Sequence, residues 1–198
     1  MNKLSNLLKL NSISQKLILS KSYPLTLCKD ILKKDTISVL GYGPQGQSQS
    51  LNLRDNNLNV ILGLRQNGTS WNNALNDGWE PDKNLFPIDE ATHKGTIIKY
   101  LISDAGQINQ WDTVKQNLNK NDSLYFSHGF GIHYKKYTNI DPPNDVNIMM
   151  VSPKCSGKTV RDSFLSKKGF TSSYAIHNDY NLGYEKCMAL AFSIGNNY

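Results

Sequence analysis

The sequence predicts a single α/β domain built on a doubly wound, mostly parallel, Rossmann-like sheet. Three observations predict it. Short apolar runs alternate with helix-length segments along the chain. Those runs are nearly continuous in hydrophobicity, as strands covered by helices on both faces require. The stretch VLGYGPQGQSQSLNLRDNNLNVILGLRQNGTSW (39–71) sets a strand, a glycine-punctuated turn and a helix in front of a second strand.

Taken in order, the predicted strands are TISVLG (36–41), NVILGL (59–64), GTIIKYLIS (95–103), SLYFSH (123–128), VNIMMVS (146–152) and SSYAIH (172–177). Between them the pattern predicts helices over 45–55, 70–77, 107–117, 159–166 and 180–194. Strand–helix–strand repetition at this spacing implies parallel pairing with right-handed crossovers. The segment 134–144, with Pro142 and Pro143, reads as a loop. Residues 1–23 read as a lead-in and 24–198 as the domain, with no internal repeat and no dividing linker.

At 198 residues the chain suffices for one such domain. Its 38% hydrophobic content excludes a disordered chain, and no apolar run approaches the roughly 20 residues that span a bilayer. The opening segment has no Arg and no apolar core, which argues against an import leader and for a cytoplasmic protein. Cys28, Cys155 and Cys187 form no CxxC pair, which argues for a reducing compartment and against a disulfide framework or zinc site. The net charge of +6 is spread over scattered lysines without a basic helix or finger, so nucleic acid is not the expected partner.

GYGPQG places Gly41, Gly43 and Gly46 in a GxGxxG pattern that leaves a strand and opens a helix. The first glycine permits the tight turn, the second lets the backbone approach a pyrophosphate, and the third allows close helix–strand packing. The helix N-terminus adds amide donors and positive potential. A glycine-rich turn without a ligand is the competing reading.

Where NAD-binding domains carry an acid at the end of the second strand, this chain has Arg65, with Ser70 shortly after. A guanidinium grips a phosphate bidentately, and a hydroxyl adds a donor. No carboxylate stands between Val60 and Asn76 to repel a 2′-phosphate. The expected cofactor is therefore NADP(H); a surface arginine is the alternative. His128 closes a predicted strand at the carboxyl edge of the sheet, where open α/β sheets place ligands. There it can move a proton near neutral pH, or simply cap the strand.

Read in order, GYGPQG, LNLRD, GLR…SW, SDAGQ, FSHGF and SPKCSGKTVR resemble ketol-acid reductoisomerase (acetohydroxy acid isomeroreductase), in its N-terminal cofactor domain only, from about residue 24 to 198. The resemblance implies an NADPH- and magnesium-dependent enzyme that isomerises and reduces 2-acetolactate or 2-aceto-2-hydroxybutyrate in valine, leucine and isoleucine synthesis. By motif, Tyr42, Gly43, Pro44 and Gln45 match the cofactor loop, and Arg65 and Ser70 match the 2′-phosphate binders. Asp104, Ala105, Gly106, Gln107 and Gly157 match further cofactor contacts, and His128 matches the active-site histidine.

The resemblance does not extend to the family's helical, magnesium-binding C-terminal domain, so the expectation is a chain without that domain, its acidic ligands coming from a companion chain, with homo-oligomerisation as an alternative partnership. The acids here (Asp89, Glu90, Asp141, Asp145, Asp179, Glu185) form no helical i, i+4 metal set. Cys155 stands where the family usually has glycine, and Asn196 and Asn197 replace a glycine- and serine-bearing ending. Besides the enzyme reading, a non-catalytic NADP-binding module and another NADP-dependent reductase of small hydroxy or keto acids fit the same residues.

Overall fold

A computed structural model describes residues 6–10 and 13–196. The chain opens with a two-stranded antiparallel hairpin, β1 (Asn6–Leu10) and β2 (Ile13–Leu17), outside the main sheet. Helix α1 (Leu25–Leu32) leads into β3 (Ile37–Leu40), α2 (Pro44–Asp55), β4 (Val60–Gly63), α3 (Thr69–Asn76) and β5 (Leu85–Phe86). The chain continues through α4 (Ile88–Lys94), β6 (Ile97–Tyr100), α5 (Asp104–Asn117), β7 (Ser123–Phe126), and the single turns α6 (Phe130–His133) and α7 (Lys135–Thr138). It ends with β8 (Asn147–Pro153), α8 (Gly157–Leu165), β9 (Ser172–Asn178), α9 (Gly183–Ala191) and a π turn over Phe192–Asn196.

The seven-stranded sheet has the order β5-β4-β3-β6-β7-β8-β9. From central β3 the chain runs outward through β4 to β5, then returns to lay β6 along the other side of β3. This reversal opens a crevice above the carboxyl ends of β3 and β6, the usual ligand position in an open sheet. β3, β4, β6 and β7 are buried along their whole length, in keeping with their largely apolar runs, and hide Ser38, Lys99 and Ser123 as well.

β9 corrects the picture of uniformly apolar strands. It pairs antiparallel to β8, and its residues alternate between half-buried and exposed because α9 covers one face while the other meets solvent. Helix α4 was not predicted, although Asp89 and Glu90 in its first turn and His93 and Lys94 in its last carry the expected charge pattern. Within the predicted loop 134–144 the chain closes one helical turn, α7, ended by Asn139 in the left-handed region at φ 58°.

Two apolar clusters occupy the two sides of the sheet. On one side Val39, Leu62, Tyr125 and Met149 pack beneath Cys28 and Leu32 of α1 and Met188 and Leu190 of α9. On the other, Leu40, Ile98, Tyr100 and Leu124 pack beneath Ala91 of α4 and Trp111 and Val114 of α5. Helix α2 is buried differently. It hides Ser48, Gln49, Ser50 and Asn52 rather than an apolar stripe, and side-chain hydrogen bonds of Gln49, Ser50 and Asn52 offset the cost of hiding those three. Asn52 Nδ2 donates to the Ile194 carbonyl at 2.8 Å while its Oδ1 accepts from Arg161 Nη1 at 2.8 Å. Asn56 Nδ2 donates to the Ser193 carbonyl at 2.7 Å.

Several buried polar groups among the described residues are left over, and Lys99 is one of them. Lys99, at the centre of β6, lies wholly buried with its Nζ 3.7 Å from the Tyr125 ring centroid and no hydrogen-bond partner. Burial pulls its pKa well below the ordinary 10.5. The unfolded chain therefore binds a proton that the folded chain does not, over the range between that depressed value and 10.5. Across that window the folded state loses stability as the pH falls. Lys99→Met, of similar length and without the amine, should raise unfolding stability by about 1–3 kcal/mol at pH 7. In paired urea titrations that advantage should shrink as the pH approaches 10; an advantage independent of pH would refute the titration account.

Candidate functional site

Three loops meet at the crevice, and glycines set how closely they meet. Gly41 leaves β3 with φ 102°, and a Cβ there would stand 2.6 Å from Ile102 Cγ2. A Cβ on Gly46 would stand 2.2 Å from the Gly41 carbonyl oxygen, so the first turn of α2 rests directly on the loop. Gly43 differs: a Cβ there would meet nothing within 4 Å. Its open side faces the space above the loop. Gly43 also N-caps α2 without a side-chain cap, and Pro44 occupies the first turn, so the leading amides of a twelve-residue helix remain available to an anion.

Tyr42 turns away from this space. Its buried hydroxyl donates to Asp77 Oδ2 at 2.8 Å and accepts from Trp79 Nε1 at 2.9 Å. Gln47 Nε2 donates to the same Asp77 oxygen at 2.7 Å, and Arg54 Nη1 to the Asp77 carbonyl at 2.9 Å. Burial and the Asp77 carboxylate push the Tyr42 hydroxyl pKa far up, so it stays protonated as a donor. The side chain thus braces the loop after α3, and what Tyr42 offers the crevice is backbone. Asp77 and Trp79 were not singled out from sequence, and no local pattern marks them.

Arg65 lies just beyond β4, exposed, and its carbonyl accepts from Gly68 N at 3.3 Å. Its Nε and Nη2 lie 3.7 and 3.9 Å from where a Gly68 Cβ would stand, so the guanidinium folds over the start of α3. Ser70 sits half-buried in the first turn of that helix, whose N-cap Gly68 has no side chain. Among the described residues no carboxylate forms an ion pair with Arg65.

At the end of β6, Ser103 Oγ caps α5 by accepting from Gly106 N at 3.3 Å, leaving Asp104 and Ala105 exposed in its first turn. Gln107 is buried, with its Nε2 donating to the Tyr100 and Ile102 carbonyls at 3.1 and 3.2 Å. It shapes the strand end from below. His128, two residues past β7, is 52% exposed and holds its Nε2 3.3 Å from Asp104 Oδ1. The structure thus brings together two residues that the sequence reading kept apart. The carboxylate sets a negative charge beside the Nε2 edge of the imidazole.

The third loop follows β8. A Cβ on Gly157 would stand 2.1 Å from the Pro44 carbonyl oxygen, so the start of α8 is seated against the start of α2. The half-buried Cys155 contributes its carbonyl, which accepts from Gln45 Nε2 at 3.1 Å. That contact uses main chain and is indifferent to the side chain. Among the described residues no group of three or more His, Cys, Asp or Glu is placed to hold a metal ion. No helix among them is long and apolar enough to cross a membrane.

A parallel sheet that reverses between β3 and β6, with a glycine-seated helix N-terminus at the reversal, defines a Rossmann-class dinucleotide-binding domain. The chain belongs to the acetohydroxy acid isomeroreductase family: residues 31–198 match that family's NADPH-binding domain. It is 46% identical over 177 residues to a mitochondrial ketol-acid reductoisomerase of Neurospora crassa, covering 89% of this chain and 44% of that protein. A ketol-acid reductoisomerase (NAD(+)) of Desulfosudis oleivorans is 46% identical over 187 residues, covering 94% of this chain and 53% of that protein. The chain therefore spans about half the length of the curated relatives it matches. A solved NADH-preferring ketol-acid reductoisomerase from an uncultured archean matches with TM-score 0.79 at 32% identity, over 85% of this chain and 51% of that one. A Mycobacterium tuberculosis 3-hydroxyisobutyrate dehydrogenase matches with TM-score 0.61 at 12% identity, over 82% and 52%, a likeness of fold alone.

The glycines divide into two kinds, and substitution separates them. Gly46→Ala and Gly157→Ala should each lower the melting temperature by about 5 °C or more, because a methyl group would be driven into main chain. Gly43→Ala, whose φ of −74° suits alanine, should shift it by no more than about 1 °C. Thermal melts of the three variants decide it; equal losses would mean that the open side of Gly43 is illusory.

Proposed function

We propose that this chain is the NADPH-binding part of a ketol-acid reductoisomerase, which isomerises and reduces 2-acetolactate or 2-aceto-2-hydroxybutyrate. The observation that carries the choice of NADPH is Arg65: an exposed guanidinium folded over the start of α3, with no carboxylate ion pair among the described residues, in a stretch free of carboxylates from Val60 to Asn76. The main chain of Gly41, Tyr42, Gly43, Pro44, Gln45 and Gly46 receives the pyrophosphate on the amides of α2. Arg65 and Ser70 take the 2′-phosphate. Asp104, Ala105, Gly106 and Gln107 shape one side of the site and Gly157 the other.

The bound cofactor supplies the hydride of the reduction. His128, with Asp104 beside it, positions or exchanges a proton on the substrate oxygens. The family reaction also uses magnesium, and the described residues do not compose a site for it. We assign the metal ligands and much of the substrate pocket to a helical domain supplied by a companion chain, or to the remainder of a longer protein.

The absence of a metal donor set among the described residues favours a second reading, a non-catalytic NADP-binding module. A relative named as an NAD(+) form marks a second choice of cofactor. The free thiols Cys28, Cys155 and Cys187 suit a reducing compartment, and we assign the chain to the cytoplasm; the relatives named mitochondrial mark the alternative.

Arg65→Asp should weaken NADPH binding about 100-fold while changing NADH binding about threefold or less, as expected for losing a charge-assisted phosphate contact. Equal losses in calorimetric titrations would overturn the 2′-phosphate assignment. The purified chain with magnesium, NADPH and 2-acetolactate should show no turnover, and adding the family's helical domain should restore it. Turnover by the chain alone would refute the division of labour, and no turnover from the combination would favour the non-catalytic module.

A further inference from the structure

Beneath the crevice runs a chain of hydrogen bonds to which the cofactor assignment gives no role. Gln49 of α2 and Tyr125 of β7 are both completely buried. Tyr125 Oη donates to Gln49 Oε1 at 2.9 Å. Gln49 Nε2 donates to Gln45 Oε1 at 3.0 Å and to Ser127 Oγ at 3.1 Å. Gln45 Nε2 passes the chain on to the Cys155 carbonyl at 3.1 Å.

The direction of this chain is fixed from its outer end. A carbonyl can only accept, so Gln45 must present its amide nitrogen to Cys155 and its oxygen to Gln49. Gln49 must then present its nitrogen to Gln45, which leaves its oxygen for the Tyr125 hydroxyl. One buried amide thus links the first turn of α2, the residue before His128, and the loop before Gly157. These are three separate walls of the crevice, joined through one side chain that never reaches its surface.

We propose that Gln49, held by Tyr125, is a positioning residue of the cofactor site, fixing Gln45 and the Ser127–His128 segment in the arrangement that receives the nicotinamide end of the cofactor. The proposal rests on the cofactor reading above. If Gln49 loses its amide, Gln45 loses the partner of its oxygen, and its freed side chain turns into the space the ligand needs. The adenosine end, held at Arg65 and Ser70 across the crevice, has no link to this chain and should not sense its loss.

The test measures the affinity of the full 198-residue chain for NADPH and for adenosine 2′,5′-bisphosphate, which carries only the adenosine end. Gln49→Met should raise the Kd for NADPH about tenfold and Tyr125→Phe about threefold, the usual range for removing one or two buried hydrogen bonds. The Kd for the bisphosphate should stay within about twofold, and Gln45→Met combined with Gln49→Met should be no weaker than the worse single variant. Tyr125→Phe keeps the ring against Lys99 and carries the test if Gln49→Met does not fold. Unchanged NADPH affinity in folded variants, proportional weakening of both ligands, or additive losses in the double variant would each overturn the positioning role. A wild-type chain that binds neither ligand would instead overturn the cofactor reading, and this proposal with it.

Discussion

The close approach of main chain to main chain around the first turn of α2 governs everything else in this molecule. Gly46 rests on the carbonyl of Gly41, and Gly157 rests on the carbonyl of Pro44, at separations that leave no room for a Cβ. Two helix N-termini, those of α2 and α8, are thereby held at one place on the sheet. The crevice inherits its shape from that contact. Residues from β4, β6 and β7 reach the same space only because α2 is seated at this depth.

Seating a helix so deeply would normally call for an apolar inner face, and α2 has almost none. Its buried Ser48, Gln49, Ser50 and Asn52 are short or amide-bearing, so they fit the narrow gap, and Gln49 and Asn52 find partners across it. The result is a helix fixed in rotation as well as depth, because hydrogen bonds have direction where methyl contacts do not. Tyr42 extends the same logic outward. By joining Asp77 and Trp79 it couples the glycine loop to the segment after α3.

Much of this was legible in the residues themselves. The apolar runs gave the central strands to within a few residues, and the loop GYGPQG sitting between strand and helix marked the reversal of the sheet. Other features were hidden for physical reasons. The antiparallel run of β9 depends on which edge it joins, and a six-residue stretch of mixed polarity does not carry that. The inward turn of Tyr42 is decided by Asp77 and Trp79, each more than 30 positions away. The His128–Asp104 pair unites two loops 24 positions apart, where each residue alone looks like an ordinary strand or helix end. Gln107, matched to a ligand loop by motif, proved to spend its amide on the strand beneath.

The polar inner face of α2 also bears on how the domain responds to temperature. Apolar burial is the source of the large positive heat-capacity change of unfolding, whereas exposing polar surface lowers that change. The two apolar clusters therefore supply the curvature of the stability dome, and the amide-lined seat of α2 flattens it locally. Cooling weakens the grip of the clusters under α5 and α9 but not the stitching around the glycine loop. In the cold, the cofactor crevice should be the last part of this molecule to loosen.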